Sequence, residues 1–186
     1  EMCIRDRSMD LINTPSQKNK EFFENLYFSA FPEDERIDTS DLYDLYNKGL
    51  IEIDLINHND KNIGFAVIYL NENIHLLSYF AIDPALRGMG YGSKSLKLLK
   101  EKYDDLMIEI ESTKFKDADD YSLRNRRKAF YIRNGFKILD AEVDYFGIEM
   151  ELMATTKDAG IDEYMETYLN IFDDDFVNDN IKLLNI

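Results

Sequence analysis

Hydrophobic and polar positions change period along this chain, and those changes predict its elements. In LIEIDLINH (50–58) apolar and polar residues alternate, with Leu50, Glu52 and Asp54 on one side and Ile51, Ile53 and Leu55 on the other, as in a strand. NDKN makes a turn, and IGFAVIYLN (63–71) returns as a more buried strand; NEN turns again into IHLLSYFAI (74–82). Three strands joined by tight turns form an antiparallel meander. Upstream, Phe22, Phe23, Leu26, Tyr27 and Phe31 in 19–36 mark one face of a helix, and 38–49 reads as a second, opened by Ser40 or Thr39 and closed by Gly49.

Downstream the period returns to that of a helix over 91–103, with Leu96, Leu99 and Tyr103 inward and Lys94, Lys97 and Lys100 outward. DLMIEIE (105–111) is a strand, and 122–136 a helix capped by Ser122 or Asp120 with Gly135 just past its end. Two strands follow in 136–154 around Phe146-Gly147, then an amphipathic helix at 162–172 and the acidic DDDFVNDN. No internal repeat is present. The order predicts an α/β (α+β) fold, a mixed sheet of about six to seven strands with a β-meander, covered by helices.

Composition narrows the class. A chain of 186 residues, 45% hydrophobic and 13% aromatic with three prolines, is globular and of one-domain size. No apolar run reaches the roughly 18 residues that span a bilayer, and no basic-then-apolar leader is seen, so a cytoplasmic protein without membrane attachment is expected. The opening EMCIRDRS (1–8) shows no periodicity and resembles a translated library adapter; it reads as a cloning or assembly scar, with Met9 as the start. Cys3, the one cysteine, lies inside it. A cysteine nucleophile, a zinc site and a disulfide therefore lack support, and no metal is expected.

The net charge of −15 is unevenly spread: 84–137 carries +5, while 1–83 carries −9 and 138–186 carries −11. So acidic a protein repels nucleic acid as a whole. The basic sector points to a small anionic ligand, the alternative being lysines scattered over two solvated helices.

Within that sector lies DPALRGMGYGSKSLKLLK (83–100), with Gly88, Gly90 and Gly92 opening a helix. Glycine there costs roughly 1 kcal/mol relative to alanine, so its use needs a reason. A dinucleotide fingerprint fails because Ser93 stands where the third glycine belongs, and a P-loop fails at the same residue despite Lys94 and Ser95. The pattern R-x-x-G-x-G remains, between a strand ending at Ile82 and a helix. Main chain of this kind can approach a pyrophosphate closely and give it consecutive amides at a helix N-terminus. A second block, RRKAFYIRNGFKIL (126–139), contains A-x-x-Y-x-x-x-G-F. On these two motifs, in this order, the chain resembles the GCN5-related N-acetyltransferase (GNAT) family over roughly residues 20–153.

The resemblance implies acetyl-CoA as donor and direct transfer to an amine. It implies cofactor contacts from Arg87, Gly88, Met89, Gly90, Tyr91, Gly92 and Ser93. It also implies main-chain pairing of the pantetheine arm with Phe80, Ala81 and Ile82 where strand 74–82 splays from 105–111. Tyr131 stands where the family often places its general acid. Many members carry an asparagine seven residues earlier, where this chain has Arg124; Asn125 is one step off, so that contact is in doubt and Arg124 and Arg127, on Tyr131's face, meet the phosphates or solvent instead.

A base must also take a proton from the acceptor ammonium. Glu109 and Glu111 share one face of an otherwise apolar strand, which marks them as candidates, Glu109 before Glu111; facing solvent or anchoring the basic helix is the alternative. Glu52, Asp54 and Tyr79 are secondary acceptor-site candidates, and His58 and His75 are incidental. The acidic flanks favour a cationic amine of a small molecule or protein. The acidic helical extension 156–186, beyond a domain of 9–155, serves as a lid, a homodimer contact or plain packing. A non-catalytic acyl-CoA sensor of the same fold is the alternative reading; retention of Tyr131, Glu109 and Glu111 favours the enzyme.

Overall fold

The computed structural model describes residues 9–12 and 16–184; the suspected scar 1–8, with Cys3, lies outside them. In chain order they form β1 (Asp10–Ile12), α1 (Gln17–Ala30), α2 (Thr39–Asn47), β2 (Ile51–His58), β3 (Lys61–Tyr69), β4 (His75–Ile82) and α3 (Tyr91–Tyr103). Then come β5 (Leu106–Glu111), α4 (Tyr121–Arg133), β6 (Lys137–Tyr145), β7 (Ile148–Ala154), α5 (Ile161–Ile171), α6 (Asp174–Asn180) and β8 (Ile181–Leu184). The strands form one mixed sheet in the order β1-β2-β3-β4-β5-β7-β6-β8. β4 and β5 run parallel, paired at His75↔Leu106 and Leu76↔Met107, while β5, β7, β6 and β8 pair antiparallel.

The mixed α/β class and the meander are as expected. Eight strands replace six to seven because β1 and β8, of three and four residues, are too short to show alternation. Helix α1 stops at Ala30 rather than running to 36, since Phe31 is extended ahead of Pro32, as a residue before proline prefers. Two of the hairpin turns, β2–β3 and β6–β7, carry positive φ at their two central residues, Asn59 (51°) and Asp60 (63°), then Phe146 (53°) and Gly147 (84°). That is the type I′ geometry that matches strand twist.

The chain divides into two compact units. The first takes residues up to Ile68 with Leu77–Asp104. Its core packs Phe23 edge-on to Phe65 with ring centroids 4.8 Å apart, and Tyr27 edge-on to Tyr79 at 5.1 Å. The Tyr27 hydroxyl donates to the Ile37 carbonyl and accepts from its N–H, both at 2.9 Å, which pins the segment between α1 and α2. On β2, Asp54 is fully buried rather than on a solvent face. It accepts from Lys102 at 2.8 Å and from the Tyr103 hydroxyl at 2.5 Å, so the end of α3 closes over it. Burial, reinforced by this carboxylate, pushes the Tyr103 phenol far above its ordinary pKa. The alternation of β2 does not separate core from solvent because both of its faces are covered.

The second unit takes Tyr69–Leu76 with the chain from Asp105 on. It is built around buried tyrosines: Tyr168 packs against Tyr164, Tyr145 and Tyr69 at 5.0, 5.8 and 5.9 Å. Asn71, also buried, donates to Thr167 of α5 at 3.0 Å. Helix α4 differs from its neighbours in having no fully buried residue. Ion pairs hold it instead: Lys128 lies 2.6 Å from Glu151, and Arg124 2.8 Å from Glu111. No helix among the described residues is long and apolar enough to cross a membrane.

Candidate active site

In the first unit β4 ends at Ile82 and the chain turns. Asp83 donates its amide to the Ile63 carbonyl at 2.7 Å, and its carboxylate accepts from the Ala85 N–H at 2.9 Å, closing a single 3-10 turn over Pro84–Leu86. Gly88 and Gly90 then take φ of +78° and +80°, and a methyl group added at either would meet nothing within 4 Å. Both glycines are thus required by backbone conformation, not by crowding. Gly92 takes no positive φ and sits inside the first turn of α3, so the reason inferred for three glycines applies to two. The first intrahelical bond runs from Lys94 N–H to the Gly90 carbonyl at 3.2 Å. This leaves the amides of Tyr91, Gly92 and Ser93 without intrahelical acceptors, and no acidic side chain occupies that turn.

The turn is anchored by Tyr91, whose half-buried ring joins Phe80, Ile82, Leu86 and Leu98 against Met9, Ile56 and Ile63. Arg87, Met89 and Ser93 are exposed around it, while Phe80, Ala81 and Ile82 are half-buried at the end of β4. Gly64, on β3, is required for a different reason: a Cβ there would stand 2.5 Å from the Ala81 carbonyl oxygen.

In the second unit Tyr131 is placed by the end of its own helix. Phe136 N–H donates to the Tyr131 carbonyl at 3.0 Å, Gly135 N–H donates to the Ile132 carbonyl at 3.1 Å, and Gly135 has φ +90°. This is a Schellman cap, with its usual apolar contact supplied by the Phe136 and Tyr131 rings, edge-on at 5.3 Å. The glycine and phenylalanine of the second motif therefore fix the tyrosine. Burial pushes the Tyr131 phenol up to about 12, opposed by the positive charge of Arg127, so it is a neutral O–H donor at any ordinary pH.

The two strand acids have separate environments. Glu109 is held by α5: Tyr164 donates to its Oε2, and Tyr168 to its Oε1 at 2.7 Å. Burial raises its carboxyl above the usual glutamate range against the lowering effect of these two hydrogen bonds. Glu111 instead faces α4, with Arg124 at 2.8 Å and Arg127 at 3.7 Å. Arg124 also lies 2.7 Å from Asp120 and donates to the Ser112 carbonyl at 3.2 Å, whereas Arg127 is half-exposed. The partly buried residues of α4 are Tyr121, Arg124, Asn125, Lys128, Phe130 and Tyr131, and Asn125 donates to its own helix at the Tyr121 carbonyl.

Of the secondary candidates, Asp54 serves the Lys102 and Tyr103 contacts, and the Tyr79 hydroxyl donates to the Glu35 carbonyl at 2.7 Å. His75 accepts from Asn71 N–H at 3.1 Å, and the His58 ring packs 5.2 Å from Tyr91. Sequence reading missed Tyr164 and Tyr168. Their four-residue spacing marks a helix face but says nothing of a carboxylate 55 residues away on another element.

Sheet order, a left-handed glycine turn ahead of α3 and a capped tyrosine on α4 define a mixed α/β fold of the acetyltransferase class. Residues 51–138 match the family model of the acetyltransferase (GNAT) domain, the family of GCN5-related N-acetyltransferases to which the two motifs pointed. A GNAT-family protein of Bacteroides thetaiotaomicron assigned as an acetyltransferase is 24% identical, with a TM-score of 0.69 over 88% of this chain and 93% of that one. An aminoglycoside 6'-N-acetyltransferase complexed with coenzyme A is 16% identical, with a TM-score of 0.64 over 83% and 99%. A GNAT family acetyltransferase from Elizabethkingia anophelis with acetyl-CoA bound is 19% identical, with a TM-score of 0.55 over 81% and 97%. No curated protein matches the chain.

Proposed function

We propose that the protein is an N-acetyltransferase that transfers an acetyl group from acetyl-CoA to a primary amine of a small molecule or protein by direct attack. The observation that carries this reading is the turn at Gly88 and Gly90, left-handed at both residues and open around them, ahead of an α3 start whose amides have no intrahelical acceptors. An anion fits there: the amides point along the helix axis, the macrodipole adds roughly half a positive charge, and no carboxylate competes. Arg87 and the main chain of Gly88–Ser93 hold the diphosphate, and Phe80, Ala81 and Ile82 offer main-chain groups to the pantetheine arm. Bound acetyl-CoA supplies the activated acyl carbon that the amine nitrogen attacks, with C–N forming as C–S breaks.

The chain's own part is to move two protons. Glu109 takes one from the acceptor ammonium, directly or through water, a task suited to a carboxylate whose basicity burial has raised. Tyr131 Oη gives one to the departing thiolate and is restored by the second proton that the acylated nitrogen sheds, directly or through water; its phenol holds a proton up to about pH 12. Glu111, tied to Arg124 and close to Arg127, anchors α4 and so supports Tyr131. The acidic character of the chain, −15 overall, favours a cationic acceptor.

Turnover of acetyl-CoA across a panel of amines, with Tyr131→Phe as comparison, tests the reading. Acetylation of at least one amine is expected, with the variant strongly impaired. Binding of acetyl-CoA without turnover of any amine would favour a non-catalytic acyl-CoA sensor. Thermal stabilisation by ATP with magnesium, but not by acetyl-CoA, would overturn the whole reading.

A further inference from the structure

We propose that helix α5 is a working part of this site: Tyr164 and Tyr168 are positioning residues that hold the Glu109 carboxylate, one phenol on each oxygen, in the orientation in which it accepts a proton. The inference rests on the acetyl-transfer reading and extends it to a helix beyond the family match, which ends at 138.

Tyr164 and Tyr168 stand one helical turn apart on one face of α5 and are 0% and 1% exposed. Their hydroxyls divide the carboxylate between them, Tyr164 on Oε2 and Tyr168 on Oε1, so each oxygen keeps a second lone pair for a proton. Neither phenol is free to turn away. Tyr168 is boxed by Tyr69, Tyr145 and Tyr164, at 5.9, 5.8 and 5.0 Å. The helix that carries both is locked at two further points. Glu163 accepts from Gly160 N–H at 2.8 Å, and Thr167, itself buried, accepts from Asn71 at 3.0 Å.

Packing alone does not call for this arrangement. Burying a carboxylate costs several kcal/mol unless it is well paired, and apolar residues of similar volume would close the same gap more cheaply. The charge setting is also defined. Tyr164 and Tyr168 face Glu109 from α5; behind them stand the Tyr145 and Tyr69 phenols; on β7 the opposed residue is Leu152; along β5 the next acid, Glu111, is paired with Arg124. Among the described residues, the groups that bear on Glu109 are the two tyrosines, and no cation is among them. Hydrogen bonds to the charged form are thus what restrains the rise that burial imposes, and deleting one lets the carboxyl rise further.

The test compares wild type, Y164F and Y168F by two readouts. One is the titration midpoint of the Glu109 carboxyl carbon by 13C NMR, assigned with E109Q; the other is the pH profile of kcat/KM with acetyl-CoA and the best amine of the panel. Each phenylalanine variant keeps its ring, so the fold is retained. We expect the midpoint and the acid limb to move up together by roughly half to one pH unit. We also expect kcat to fall about tenfold while KM for acetyl-CoA holds. An unmoved midpoint in both variants overturns the clamp. A midpoint that moves while the rate profile stays put overturns the catalytic role of the clamp and leaves acetyl transfer standing. A wild type that acetylates no amine overturns the parent reading, and this inference with it.

Discussion

The main-chain amide of Phe136 donates to the carbonyl of Tyr131 at 3.0 Å, so the residue that ends the second motif caps the helix turn bearing the candidate acid. The Phe136 ring, 2% exposed, then packs edge-on against the tyrosine it caps. One short stretch thus stabilises the end of α4 and orients Tyr131.

Gly135→Ala tests that link through the backbone. Gly135 holds φ +90°, a region that costs an L-residue roughly 1–2 kcal/mol. Chemical denaturation should show a loss of that size, and Gly135→Asn should lose less because asparagine tolerates the left-handed cap better. Turnover should fall in parallel with the stability loss in both.

Tyr131→Phe should lower kcat by about a hundredfold with little change in acetyl-CoA affinity, as removal of a general acid does. With the phenol at about 12, it should account for no alkaline limb below about pH 11. The linkage follows from the same shift. A tyrosine raised in the fold leaves stability intact below its unfolded value near 10, and stability falls as pH rises from there through about 12. Denaturation from pH 9 to 12 should be less steep in the variant.

Gly88→Ala and Gly90→Ala separate ligand binding from folding. No atom lies within 4 Å of either added methyl, so each should fold with a loss of about 1–2 kcal/mol, the strain of a left-handed alanine. Coenzyme A binding by calorimetry should weaken about tenfold, equivalent to roughly 1.4 kcal/mol. Gly64→Ala should behave otherwise. Its methyl would meet the Ala81 carbonyl oxygen at 2.5 Å and Ile82 Cδ1 at 2.8 Å, so β4 must shift and the loss in stability should be about 1–3 kcal/mol.

Glu151→Gln probes the ionic docking of α4. Burial works to raise the Glu151 carboxyl, but Lys128 and the Thr113 donors outweigh it and hold it below the ordinary glutamate value. A depressed carboxyl contributes stability that is present above about pH 4.3 and lost as pH falls through its lower folded value. The variant should be about 3 kcal/mol less stable at pH 7, because Lys128 loses a buried partner, and its urea midpoint should fall less steeply below pH 4.3.

Ending the chain at residue 155 should abolish folding of the second unit. The deletion removes Tyr164, Tyr168 and Val177, each at most 1% exposed, and strips β8 from β6. Insoluble expression or a flat thermal melt is the expected result.

Much of the architecture was legible because it rests on local chemistry. The meander showed in the two-residue periods of 50–82, and the limits of α3 in the glycines before it and the lysine-faced stripe within it. The short β1 and β8 were illegible, since three or four residues carry no period. So was the burial of Asp54, because alternation cannot tell a solvated face from one covered by a second helix.

The same division runs through the candidate site. Sequence by itself determined the left-handed glycine turn, the capped Tyr131 and the presence of Glu109 and Glu111 on one strand, since each follows from conformational limits or from neighbours a few residues apart. Only the tertiary structure decided that Glu109 belongs to the tyrosines of α5, and Glu111 to the arginines of α4. Both acids present the same residue type with the same period, and what distinguishes them is which distant helix packs above each.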